Sequence, residues 1–205
     1  MTNKKTLGLA AFVAVLVSVI GGFVVYAALT QQLDIKGSAD FVPESWKVNF
    51  KAGTLSTPPA LTGGATVTTA PTLTDTLISD FKVVLIREGS SVTYTFDIEN
   101  TGTLDAKITS LVLGTPACEG TDPTKAADEA IVCGSNLSYT LKYVSGDLAT
   151  NGLTAGNNVA IGNMLEAGST VKVELKLEFS SAATILPTNT VAITGLNSFL
   201  IYSAQ

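Results

Sequence analysis

The chain has 205 residues, no histidine, two cysteines and a formal net charge of −5. Without histidine there is no Ser-His-Asp triad, no Cys-His pair and no HExxH zinc site. An acidic chain with a single arginine, Arg87, has no electrostatic footprint for a phosphate backbone, so nucleic acid is not an expected partner.

Residues 1–5 carry Lys4 and Lys5, and residues 6–27 follow without a charge. A basic start, an apolar run and small residues at its end describe an export signal. Cleavage is expected after Ala27 or after Ala28. The alternative is a retained anchor, since about 20 apolar residues span a bilayer. Gly8 is followed by LAAFVAV, which lacks the glutamate of a type IV pilin leader. Cleavage after residue 27 removes the two lysines, takes the net charge from −5 to −7 and leaves 178 of the 205 residues. That length supports a single core. Contact with membrane is expected only through this segment, before cleavage. In an exported chain Cys118 and Cys133 are expected to pair, contributing about 3 kcal/mol in the chain-entropy model.

Beyond the signal, LTQQLDIKGSADF (29–41) alternates through Leu33, Ile35, Gly37, Ala39 and Phe41 and reads as extended. Pro43 separates it from SWKVNFKAG (45–53), where Trp46, Val48 and Phe50 share a face. Residues 52–72 are rich in Thr, Pro, Gly and Ala and read as irregular, with ATVTT (65–69) pairing weakly. DFKVVLIREG (80–89) reads as a strand. In EGSSVTYTFDIENTGTLDAKI (88–108), Val92, Tyr94, Phe96 and Ile98 fall on one side of a strand. Asn100 and Gly102 then turn the chain through positive φ into a second strand, which reads as a hairpin.

ITSLVL (108–113) extends that second strand, and residues 114–134 form an excursion bracketed by the cysteines. Inside it Asp122 suits a helix cap, Pro123 the first helical position and Gly134 the end, with TKAADEAIV as the short helix. SNLSYTLKYV (135–144) and STVKVELKLEFS (169–180) alternate strictly, and the latter has Lys and Glu along its solvent face. The Gly- and Asn-rich stretch 147–164 reads as turns, and NTVAITGLNSFLIYSAQ (189–205) offers two short strands around Gly195. About eight strands with turn signals between them and one short helix predict an all-β, jelly-roll or Ig-like β-sandwich.

Glu88, Asp97, Glu99 and Asp105 are candidate acid–base carboxylates, and their place on or beside a polar strand face reads as solvated surface. Glu119, Asp122, Asp128 and Glu129 form an acidic loop whose spacing matches no EF-hand. Asn136-Leu-Ser is a glycosylation sequon by pattern. No cofactor, metal or catalytic residue is expected.

The leader end GGFVVYAALTQQ (21–32) and the Glu-Asn-Thr-Gly turn (99–102) with its flanking strands resemble the TasA/camelysin family. The resemblance implies signal removal by a SipW-type signal peptidase. It implies a jelly-roll-like sandwich that polymerises with itself into extracellular biofilm fibres, the N-terminal segment of one subunit completing its neighbour's sheet. It also carries a metalloprotease description for camelysin members, which a chain without histidine does not support. The cysteine-bracketed excursion and the 52–72 stretch depart from the family pattern. Residues 28–44 are then a donor strand with Leu33, Ile35, Ala39 and Phe41 filling the next subunit, or alternatively an edge strand of their own domain. A membrane-tethered Ig-like adhesion domain and a secreted enzyme are the readings from other classes.

Overall fold

The computed structural model describes residues 44–205 other than 80, 119–122, 195 and 197. The expected signal, the cleavage positions Ala27 and Ala28, and the donor positions Leu33, Ile35, Ala39 and Phe41 lie outside the described residues. The described residues form twelve strands and one α-helix. In order these are β1 (Val48–Phe50), β2 (Ala60–Thr62), β3 (Thr66–Thr69), β4 (Lys82–Val84), β5 (Ser91–Asn100), β6 (Ala106–Val112) and β7 (Ala117–Cys118). After α1 (Ala126–Cys133) come β8 (Leu137–Gly146), β9 (Met164–Leu165), β10 (Thr170–Phe179), β11 (Ile193–Thr194) and β12 (Phe199–Ala204).

The first sheet runs β1-β5-β10-β8 with β2 also on β5, and the second runs β12-β6-β9. Every pairing is antiparallel, and β3-β4 and β7-β11 form separate ribbons. Strict alternation on β5 and β10 places Ile98, Phe96, Tyr94 and Val92 opposite Val171, Val173, Leu175 and Leu177. The row continues onto β8 through Tyr143, Leu141 and Tyr139. Burying each of these side chains stabilises the fold by about 1.5–3 kcal/mol. Ile108 and Leu165 of the second sheet, each 1% exposed, join the same core. This is the all-β sandwich expected, with one short helix bracketed by the Cys118–Cys133 disulfide.

Residues 88–108 are not a hairpin. β5 pairs with β1, β2 and β10, whereas β6 pairs with β12 and β9. The 100–105 turn is therefore an arch that carries the chain from one sheet to the other. Among the described residues none but glycine has positive φ, and Gly102 is not among those that do. Asn100 stays in the strand, 1% exposed, and its amide donates to Leu104 O (2.8 Å) and Leu165 O (3.0 Å) while its Oδ1 accepts from Gly102 N (3.0 Å). Gly102 serves close approach instead: a Cβ there would lie 2.5 Å from Ser45 O and 2.8 Å from Lys47 N. That approach lets Thr101 N donate to Lys47 O (2.9 Å) and Thr103 N to Ser45 O (2.8 Å).

The 52–72 stretch is more ordered than expected, because it covers the edge of β5. β1 pairs with 98–100 and β2 with 91–93. Between them Ser56 N donates to Thr95 O and Lys51 N to Asp97 O. The hydroxyls of Ser56 and Thr54 accept the N–H of Thr95 and Asp97, each at 2.9 Å. Residues 80–89 give only the three-residue β4, since the N–H groups of Ile86 and Arg87 donate to Ser90 Oγ and bend the chain away. Pro123–Lys125 is a 3-10 turn, and α1 starts at Ala126 without a side-chain cap, later than expected. At its end, the Asn136 amide donates to Ile131 O (2.8 Å), so the sequon nitrogen is engaged with the helix. No helix among the described residues is long and apolar enough to cross a membrane.

Candidate functional site: a cleft between the sheets

The carboxylates singled out in the sequence are spread over the surface rather than brought together. Asp97 pairs with Lys172 across the β5–β10 ladder. Glu99 accepts from the Asn49 amide (2.9 Å) and lies 3.5 Å from Lys51 Nζ. Asp105 accepts from Ala167 N (2.9 Å), and Glu88 is exposed in a turn. Glu119 and Asp122 are outside the described residues. Asp128 is 5% exposed, and both its oxygens are taken: Thr188 N (2.8 Å), Asn189 N (3.0 Å) and Asn189 Nδ2 (2.7 Å) donate to them. These donors, Thr188 N first, hold its carboxyl below the usual carboxylate range. Among the described residues no group of three or more Cys, Asp or Glu side chains is placed to hold a metal ion.

A cleft of about 480 Å³ lies between the two sheets. Its floor is the inner face of the first sheet: Phe50 of β1, Phe96 and Ile98 of β5, Leu175 of β10, and Tyr139 and Leu141 of β8. One wall is the loop 75–79 with Phe81, and the other is Leu196, Ser198, Leu200 and Tyr202, leading into and along β12. The floor residues on β5, β8 and β10 are buried, with small differences among them. Leu175 and Leu141 are 8% and 5% exposed, while the neighbouring Val173 and Leu177 on β10 are 0% and 1%. Leu77, on the rim, is 58% exposed. β12 ends its sheet, so the wall is also an edge.

The polar groups around the cleft are hydroxyls, backbone, the Asn49 amide and the Asp75 carboxylate. Tyr139 donates to Leu196 O (2.8 Å), and Phe50 N donates to Asp75 O (2.8 Å), which anchors the opposite wall. Burial raises the Tyr139 phenol and pushes Tyr143, just behind the floor, up to about 12. Burial and then the charge Tyr143 would carry raise Tyr202 further. These phenols are neutral hydrogen-bonding groups at ordinary pH, not nucleophiles. The lining contains no cysteine and one acidic residue, Asp75. Such a surface suits apolar side chains presented by an extended chain.

Sequence reading found the floor residues by their alternation but not the walls. The loop 75–79 has no periodic pattern, and Leu196 and Ser198 precede a strand whose partner is almost ninety residues away in β6. No family model and no characterised protein matches this chain. Fold and cleft define its class as an all-β sandwich with an apolar cleft between its two sheets.

Proposed function

We propose that the chain is a structural subunit of an extracellular filament, exported and then assembled head to tail by donor-strand complementation. Residues 28–44 of one copy fill the cleft of the next. The observation that carries this reading is the cleft itself: an apolar floor drawn from four strands, bounded on one side by a terminal strand. A donated strand buries alternate side chains and satisfies backbone groups at such an edge. Leu33, Ile35, Ala39 and Phe41 supply one apolar face for it. Ser45, which follows the proposed donor segment in sequence, is tied to the arch by hydrogen bonds to Thr103 and Leu104. Contacts of this kind are heterologous and do not close, so they give filaments.

Negative-stain microscopy of protein beginning at Ala28, beside protein beginning at Ser45, tests the reading. Filaments from the first and monomers from the second are expected. Monomers from both would refute self-assembly and leave a tethered surface domain as the better account.

A further inference from the structure

The disulfide-bracketed excursion has a role the filament reading does not include. Its described residues are bonded repeatedly to the segment that becomes one wall of the cleft. Gly114 N donates to Ser198 Oγ (3.3 Å). β7 pairs with β11 in the register Cys118 to Ile193 and Ala117 to Thr194, and Thr194 Oγ1 donates to Ala117 O (3.3 Å). Asp128 of α1 receives Thr188 and Asn189 through the N–H donors described above. Cys133 then ends α1 four residues before β8, whose Tyr139 and Leu141 form floor and whose Tyr139 hydroxyl reaches Leu196 of the wall.

From these contacts we infer that the excursion is a clasp. The Cys118–Cys133 bond joins the backing of the wall to the start of a floor strand, and Asp128 fixes the loop that feeds the wall. Between them they hold residues 193–202 at a set distance from the floor. Strands β5 and β10 pair with each other, β1, β2 and β8, and not with β7 of the excursion. Local stability differs between elements with different supports, so the wall can loosen while the first sheet holds. The consequence for assembly rests on the reading of the cleft given above. A loosened wall receives a donated strand poorly, because the occupant must first order it.

Amide hydrogen exchange on the exported protein tests the clasp, comparing the native chain with the Cys118→Ser/Cys133→Ser double variant and with Asp128→Asn. Exchange at 193–202 is expected to accelerate at least about tenfold while β5 and β10 keep their protection. Unchanged protection at 193–202 in both variants overturns the clasp. If the double variant loses protection throughout, Asp128→Asn decides: loosening confined to 186–202 supports the clasp, and none overturns it. None of these outcomes depends on filaments. Failure to polymerise overturns the assembly reading alone, and failure of wall loosening overturns the clasp alone.

Discussion

Replacing Asn100 by alanine should cost the domain about 2–4 kcal/mol. The side chain is 1% exposed and makes three hydrogen bonds, to Leu104 O, Leu165 O and Gly102 N. Each contributes about 0.5–1.5 kcal/mol net, and a buried carbonyl left without its donor adds desolvation cost. The bonds to Leu104 and Leu165 also join the arch to β9 in the second sheet, so the loss is not confined to one turn. Asn100→Asp is the sharper test. A carboxylate still accepts from Gly102 N but cannot donate to either carbonyl, and it sets a buried charge against two oxygens. It should cost more than alanine despite its closer shape. Urea unfolding of protein beginning at Ser45 measures this, followed by far-ultraviolet circular dichroism and by fluorescence of Trp46. Trp46 is the one tryptophan, and its Cα lies 3.1 Å from where a Cβ on Gly102 would sit. Coincident transitions license the two-state treatment. A loss below about 0.5 kcal/mol, the size of an ordinary surface change, or an aspartate milder than alanine, would refute the account of the arch.

Three further outcomes are expected. Thr54→Val with Ser56→Ala leaves the N–H groups of Asp97 and Thr95 without acceptors, costing about 1–3 kcal/mol for each group and exposing the β5 edge; light scattering should show association that the native domain lacks. The contribution of Asp128, whose folded-state value is lowered, is present above its ordinary 3.8 and lost as pH falls through the lower folded value; acid titration of Asp128→Asn should lack that part of the profile. Tyr143 is raised, so its contribution is present below the ordinary 10.0 and lost as pH rises through about 12; ultraviolet absorbance should show tyrosinate from the exposed tyrosines first and from Tyr143 only near that limit or on unfolding.

The legible parts of this sequence were those where one face decides everything. β5, β8 and β10 alternate because one side meets the core and the other meets water, and the pattern alone places Val92, Leu141 and Val173 correctly. Pairing was not legible in the same way. The turn at 99–102 has hairpin residues, yet Asn100 spends its amide on Leu165, 65 positions away, and that long-range bond makes an arch. Likewise Thr54 and Ser56 look like loop residues by composition. Their hydroxyls stand in for a strand's carbonyls along β5, which no local periodicity encodes. Asp128 read as part of an acidic loop because its partners, Thr188 and Asn189, are 60 residues distant. Periodicity reports burial, whereas these features depend on who the neighbour is.

Where the edges are closed bears on how copies of this chain would associate. The outer edge of β5 is occupied from Ser91 to Asn100 by β2, Ser56, Thr54 and β1. On the far side of the first sheet, β8 is partnered between Leu141 and Tyr143: Tyr143 N donates to Asn157 O and Val159 N to Leu141 O, each at 3.0 Å. Extension of the first sheet from molecule to molecule would have to displace one of these covers, at the cost of hydrogen bonds already made. Insertion into the cleft displaces none of them, and it lays apolar side chains along an apolar floor. Filaments built by insertion keep each sandwich intact and place its strands at the sandwich's own orientation. Fibre diffraction from aligned filaments should then lack the sharp meridional reflection at about 4.7 Å that stacked strands perpendicular to the axis produce. A strong reflection of that kind would mean that sheets run continuously through the filament, and the cleft would not be the joint.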